Sequence, residues 1–257
     1  MSRIHTAFEK EKAFIAFITA GDPTMDKTEE FVYEMERAGA DLIELGIPFS
    51  DPIAEGVVIQ DANIRALEAG ASLQKVFDLV ERIRKNTQVP LVFLTYMNPV
   101  HNYGYEAFFE KCKAVGLDGI IIPDLPFEEK GEIRDVAKAN GIDIISLIAP
   151  TSDERARTIA RDASGFIYVV SSMGVTGVRS EIRTDLPSII KTLKEETNVP
   201  CAVGFGINTT TQAHDIAQYS DGVIVGSAIV KIVAKYGAEA GPHIYEYVKE
   251  MKEATVS

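Results

Sequence analysis

The chain is poor in the residues that build metal centres and disulfide frameworks: two cysteines and four histidines occur among 257 residues. Cys112 and Cys201 lie in different expected elements with no metal-like spacing, and read as buried thiols in a reducing compartment. His5, His101, His214 and His243 are expected at the N-terminus, in a polar loop and on helical stretches. None has a metal spacing or stands beside a nucleophile, which excludes a zinc site and a Ser-His-Asp arrangement as readings. No run approaches the roughly 18 apolar residues of a membrane helix, and Met1-Ser2-Arg3-Ile4-His5 lacks a signal core. Positive charge is also short. With 26 basic and 38 acidic residues the net charge is -12, which argues against nucleic acid or an anionic membrane as partner. The reading is a soluble, cytoplasmic chain, in which a phosphorylated ligand would need local donors against a repulsive field.

What is present is a hydrophobic content of 46%, enough for a sizeable core. Short apolar runs at 13–19, 41–45, 91–95, 119–122, 143–148, 166–170, 201–203 and 222–225 alternate with amphipathic stretches. The runs are nearly continuous, as parallel strands covered on both faces require. In the stretch from Glu29 to Arg37, Phe31, Val32 and Met35 share one helical face. Gly39, Gly116 and Gly141 each stand between a helical stretch and a strand, where a left-handed residue closes the helix. Pro90 and Pro200 introduce the third and seventh strands by blocking helix continuation. Eight evenly spaced strands with seven crossovers and a final helix predict an α/β architecture, a closed (β/α)8 barrel. No linker divides it, so 1–257 reads as one domain with extra short helices.

In such a barrel the working residues lie at strand C-termini and in the loops that follow. Gly204-Phe205-Gly206-Ile207-Asn208 after strand seven and Gly226-Ser227-Ala228 after strand eight are glycine-rich and lead into helical stretches. Backbone N–H groups can approach an anion closely there, aided by a helix N-terminus, so the pair predicts a phosphate site. A third glycine-rich segment follows strand six, from Ser171 to Ser180, where Thr176 and Gly177 could add donors and the loop could close as a lid. On the opposite side, Glu44 interrupts the apolar run Leu42-Ile43-Glu44-Leu45. A desolvated carboxyl there would have a raised pKa suited to proton transfer. The next loop carries two more acids, Asp51 and Glu55, between and beyond the stiffening Pro48 and Pro52. Spacing alone leaves open which of them faces a ligand.

At these residues the chain resembles the tryptophan synthase alpha subunit family, over nearly its whole length. The resemblance runs through Phe17-Ile18-Thr19-Ala20-Gly21-Asp22-Pro23, Glu44-Leu45-Gly46-Ile47-Pro48-Phe49-Ser50-Asp51-Pro52, Ile59-Gln60 and Ala62-Asn63. It continues in Pro123-Asp124-Leu125-Pro126, Gly174-Val175-Thr176-Gly177, Gly204-Phe205-Gly206 and Gly226-Ser227-Ala228. The resemblance implies a metal-free retro-aldol lyase that converts indole-3-glycerol phosphate to indole and glyceraldehyde 3-phosphate. It gives Glu44 the acid/base work and Glu55 the indole N–H. It implies phosphate donors at Gly177, Gly206, Gly226 and Ser227. Phe17, Leu94, Tyr96, Ile121, Leu147, Tyr168, Thr176 and Phe205 would line the indole slot. No cofactor is implied in this chain. Pyridoxal phosphate belongs to a beta subunit expected to pair with it, two alpha with two beta, through Asp51, Pro52 and the region from Asn98 to Asn102.

Two positions depart from the family pattern. Glu55 stands where the family often has Asp, adding one methylene or roughly 1.5 Å of reach, and Val57 stands where proline is frequent. Two other readings stay open at this stage. One is a weakly catalytic module that activates the beta subunit, and the other a lyase that releases indole on its own. A phosphate-binding sugar isomerase fits less well, since neither a metal-ligand set nor the Glu44 context favours it.

Overall fold

Continuous apolar runs make sense only if a strand is covered on both sides, and each run becomes such a strand. The computed structural model describes residues 2–149, 152–171, 185–204 and 206–256. Its strands are β1 (Ala13–Thr19), β2 (Leu42–Gly46), β3 (Leu91–Leu94), β4 (Gly119–Ile121), β5 (Asp143–Ile144), β6 (Ser146–Ile148), β7 (Ile167–Val170), β8 (Cys201–Gly204) and β9 (Gly222–Val225). All pair in parallel, in the order β5-β4-β3-β2-β1-β9-β8-β7-β6.

The two ends of that order are consecutive in the chain. β5 pairs with β4 and β6 pairs with β7, and only Ile145 separates them. One strand with a single-residue break therefore closes the sheet into a barrel. This corrects the expected unbroken run 143–148. Ile145 still donates its N–H to Ile120 O at 2.9 Å, so the break turns the chain from one neighbour to the other without loss of pairing at that point.

Side chains alternate between two apolar environments. Ala13, Ile15, Leu42, Val92, Ile121, Ile145, Phe166, Ala202 and Ile224 pack together inside the barrel, and Ile4 joins them from the N-terminal turn Ile4–Phe8. Phe14, Ala16, Ile18, Ile43, Leu45, Phe93 and their equivalents pack outward against the helices. These are α1 (Met25–Arg37), α2 (Val57–Glu68), α3 (Leu73–Ile83), α4 (Met97–Tyr103), α5 (Tyr105–Val115), α6 (Gly131–Ala139), α7 (Asp153–Arg161), α8 (Leu186–Glu196), α9 (Thr210–Ala217), α10 (Ser227–Tyr236) and α11 (Gly241–Val256).

Local sequence explains the ends of many elements. Thr24 and Ser72 accept hydrogen bonds from the N–H groups of Lys27 and Lys75 and so cap α1 and α3. Gly39, Gly116 and Gly141 all take positive φ, as expected between helix and strand. Pro90 and Pro200 contribute their carbonyls to Ile43 and Ile167 at 3.0 and 2.7 Å, the half of the backbone pair that proline retains. Two local readings change. His101 lies on α4, not in a loop, and β2 ends at Gly46, so Glu44 sits at its centre.

Candidate functional site

Glu44 is 1% exposed, in the middle of a strand whose five residues are all buried. Leu42 faces the barrel interior, so Glu44, two residues on, does too. Its Oε1 has no hydrogen-bond partner among the described residues. Burial with nothing to hold the charge pushes its pKa from 4.5 up to about 8.

The walls around it come from the neighbouring strands. Phe17 on β1 and Val92 on β3 stand in register with Glu44. Leu94 packs against the small cluster that contains Phe17, and Leu94, Leu147 and Tyr168 each pack onto the interior cluster that contains Ile121. Burial and then the Glu44 carboxylate raise the Tyr168 hydroxyl well above its usual range, which places the phenol within the field of that acid. Two glycines make room for these rings. A Cβ at Gly46 would fall 2.7 Å from Phe17 Cζ, and one at Gly204 would fall 2.6 Å from Tyr168 Cζ. Both strand ends need glycine because an aromatic side chain occupies the space a Cβ would take.

The second acid is tied into place by its surroundings. Asn63 Nδ2 donates to Glu55 Oε2 at 2.7 Å, and Gln60 Nε2 donates to the Glu55 carbonyl at 2.8 Å. Tyr96 is 1% exposed, and its hydroxyl accepts from Ala54 N–H at 3.2 Å. The Phe49 ring lies 5.3 Å from the Tyr96 ring, so the loop rests on that residue. Burial raises the Glu55 carboxyl, while hydrogen bonds from Asn63 and Tyr96 pull it back. The extra methylene of Glu55 is thus absorbed in a hydrogen-bonded pocket. Asp51 is exposed on the same loop, and Pro52 is half-buried.

At the other end of the slot, α10 begins at Ser227 with Gly226 as its cap and no side chain closing its first N–H groups. The Gly226 backbone runs against Phe17, and a Cβ there would lie 3.2 Å from Phe17 Cδ1. Gly206 is exposed at φ 81, ahead of α9, whose Thr209 and Gln212 form a reciprocal capping box. The open donors at the start of α10 favour an anion. Gly177, Thr176 and Phe205 lie outside the described residues.

Sequence reading missed Asn63 as a functional residue. It is 4% exposed and falls with Ile59, Ala62 and Ala66 on the buried face of α2. The available signal was helical phase, since a polar residue on an apolar stripe needs a partner inside. It also missed that buried Asp22 is gripped by Arg65, with Nε–Oδ1 at 2.9 Å and Nη2–Oδ2 at 2.7 Å. That fork ties the loop after β1 to α2. Among the described residues no three His, Cys, Asp or Glu side chains cluster as metal ligands. Cys112 and Cys201 are buried free thiols, and burial pushes both up, Cys201 to about 12.

The arrangement combines a protonatable acid facing an apolar slot, a held carboxylate at the slot's flank and open backbone donors at its end. That suits a flat aromatic ligand with an anionic tail. Comparison with known proteins agrees. Residues 4–256 match the family model described as tryptophan synthase alpha chain. The tryptophan synthase alpha chain of Lacticaseibacillus casei is 50% identical over 254 residues, which cover 99% of this chain and 96% of that one. The crystal structure of the tryptophan synthase alpha chain from Legionella pneumophila is similar with a TM-score of 0.88 and 34% identity, covering 99% of this chain and 97% of that one. A structure concerned with mutual activation of the α2β2 complex from Pyrococcus furiosus has a TM-score of 0.88 and 38% identity, covering 95% and 99%.

Proposed function

The chain belongs to the tryptophan synthase alpha chain family, and we propose that Glu44 and Glu55 are the two carboxylates through which it works. The enzyme is a carbon–carbon lyase that cleaves indole-3-glycerol phosphate to indole and glyceraldehyde 3-phosphate, as the alpha subunit of an assembly with two alpha and two beta chains. The observation that carries the assignment of Glu44 is its buried, unpartnered Oε1.

With a pKa near 8 the Glu44 carboxyl is mostly protonated at neutral pH. It gives that proton to indole C3, and the ring becomes a cation that can accept the electrons of the C3–glycerol bond. Glu55, whose carboxyl burial raises while Asn63 and Tyr96 pull it back toward the ionised form, accepts the indole N–H and stabilises this cation. As the bond breaks, the adjacent hydroxyl loses its proton to the Glu44 carboxylate and the carbon becomes an aldehyde. Glu44 ends as it began, so no other reagent is consumed.

Phosphate binds at the N–H groups of Gly206, Gly226 and Ser227, with Gly177 as a further donor. The indole lies among Phe17, Leu94, Tyr96, Ile121, Leu147, Tyr168, Thr176 and Phe205. Asp51 and Pro52 contact the beta subunit, which carries the pyridoxal phosphate, and the alpha chain itself works without a cofactor. The chain acts in the cytoplasm as one barrel domain over 1–257. The decisive experiment is indole release by purified Glu44→Gln, alone and with the beta subunit. Loss of at least ~1,000-fold in kcat with an unchanged circular dichroism spectrum is expected. Turnover near the wild-type rate would remove Glu44 from the mechanism.

A further inference from the structure

We propose that Asn63 is a positioning residue for the reaction, holding the Glu55 carboxylate in place and favouring its ionised form for the substrate. The proposal rests on the assignment of Glu55 to the indole N–H.

Asn63 is the polar member of the buried face of α2, between Ala62 and Ala66. An uncompensated amide in that position would be costly, so its hydrogen bond is what justifies its presence. The partner is Glu55, which stands just before the helix. The Asn63 Nδ2–Oε2 distance of 2.7 Å is that of a charge-assisted bond. An ionised carboxylate only accepts, so the amide must present its NH2 to it. A helix holds this donor more firmly than a loop could, because the Asn63 Cα is fixed by packing of Ile59 and Ala62 against Phe17 and Val230. Gln60, one turn earlier, secures the Glu55 backbone at 2.8 Å. Helix α2 thus grips both the main chain and the side chain of the acid that precedes it.

The groups that act on the Glu55 carboxyl are Asn63 from α2 and Tyr96 from the turn between β3 and α4, with burial opposing both. Among the described residues no charged side chain contributes to its shift. Removing the Asn63 donor therefore leaves burial less opposed, and the carboxyl titrates at higher pH. Below that pH Glu55 is neutral and stabilises no cation. The defect should be large in acid and shrink as pH rises, which a general loosening of the fold would not produce.

The test uses Asn63→Leu, similar in size but without donors, and Asn63→Ala in case leucine prevents folding. Two readouts are taken on the full chain. The first is the Glu55 titration, followed by carbon NMR of glutamate-labelled protein and assigned by its absence in Glu55→Gln. The second is the pH profile of kcat/KM for indole release. Expected are a rise of about one pH unit in the Glu55 midpoint, a matching shift of the acid limb, and a loss that approaches about tenfold below both midpoints and vanishes above them. An unmoved Glu55 midpoint overturns the proposal, as does a loss that is the same at every pH. The NMR readout needs no turnover. If wild type releases no indole, the assigned reaction fails while the positioning of Glu55 by Asn63 is still decided.

Discussion

Burial moves the Glu44 carboxyl from 4.5 to about 8, and the direction of that move has consequences for stability as well as turnover. The folded state holds a proton that the unfolded state releases, so folding is favoured by acid. The penalty begins near the unfolded pKa, grows as pH rises and is complete above about 8. It amounts to something on the order of 5 kcal/mol in principle. Glu44→Gln, which cannot ionise, should match wild type near pH 5 and become progressively more stable than it towards pH 8.5. Urea unfolding of both proteins across that range checks this, and parallel curves would exclude an ionised, buried Glu44. Wild-type indole release should fall as pH rises through about 8, since the acid that protonates C3 is lost there. Glu44 was legible in the sequence because an acid inside Leu42-Ile43-Glu44-Leu45 has few explanations. Asn63 was not, because asparagine is at ease on a helix surface and its partner becomes apparent only when helical phase and loop path are both known.

At the scale of elements, α2 starts where the family pattern often has proline. Val57 is its first residue, follows the extended Gly56 cap, and is 59% exposed. The first helical position loses nothing by lacking an N–H, and the proline ring presets its φ. Val57→Pro should therefore stabilise the chain by roughly 0.5 kcal/mol, chiefly by restricting the unfolded state. It should also leave indole release within about twofold of wild type. Calorimetry measures the first and a steady-state assay the second; a lowered melting temperature would mean that the Val57 backbone is constrained in a way the helix start does not reveal. The strands, by contrast, were readable to within a residue or so because their apolar runs are sharply bounded. The break at Ile145 was invisible, since Ile144-Ile145-Ser146-Leu147-Ile148 carries no glycine or proline. The barrel's circumference, not local propensity, sets where that strand changes partners.

At the scale of the whole molecule, the most exposed large apolar side chain among the described residues stands on the acid loop. Ile53 is 69% exposed, two residues from exposed Asp51 and four from Val57. An apolar tip next to a charged side chain suits a contact that is dry at its centre and polar at its rim. Ile53→Asp should weaken association with the beta subunit at least about tenfold while isolated indole release stays within about twofold. Titration calorimetry against the beta chain measures this directly, and unchanged affinity would place the interface elsewhere. Closure of the barrel was legible from apolar spacing alone. The partner came only from resemblance, because a net charge of -12 and an exposed apolar side chain name no binding partner.

Phe17, Ile59, Ala62 and Val230 form one small cluster that joins β1, α2 and α10. Glu55 precedes one of those helices and the Gly226–Ser227 donors begin the other. The gap between acid and anion site is therefore a dimension of the core, held by packed side chains like the fixed jaws of a gauge. On the proposed assignment of the two sites, that spacing would gauge a ligand's length, and trimming Val230 should alter which lengths pass without touching a single reacting atom.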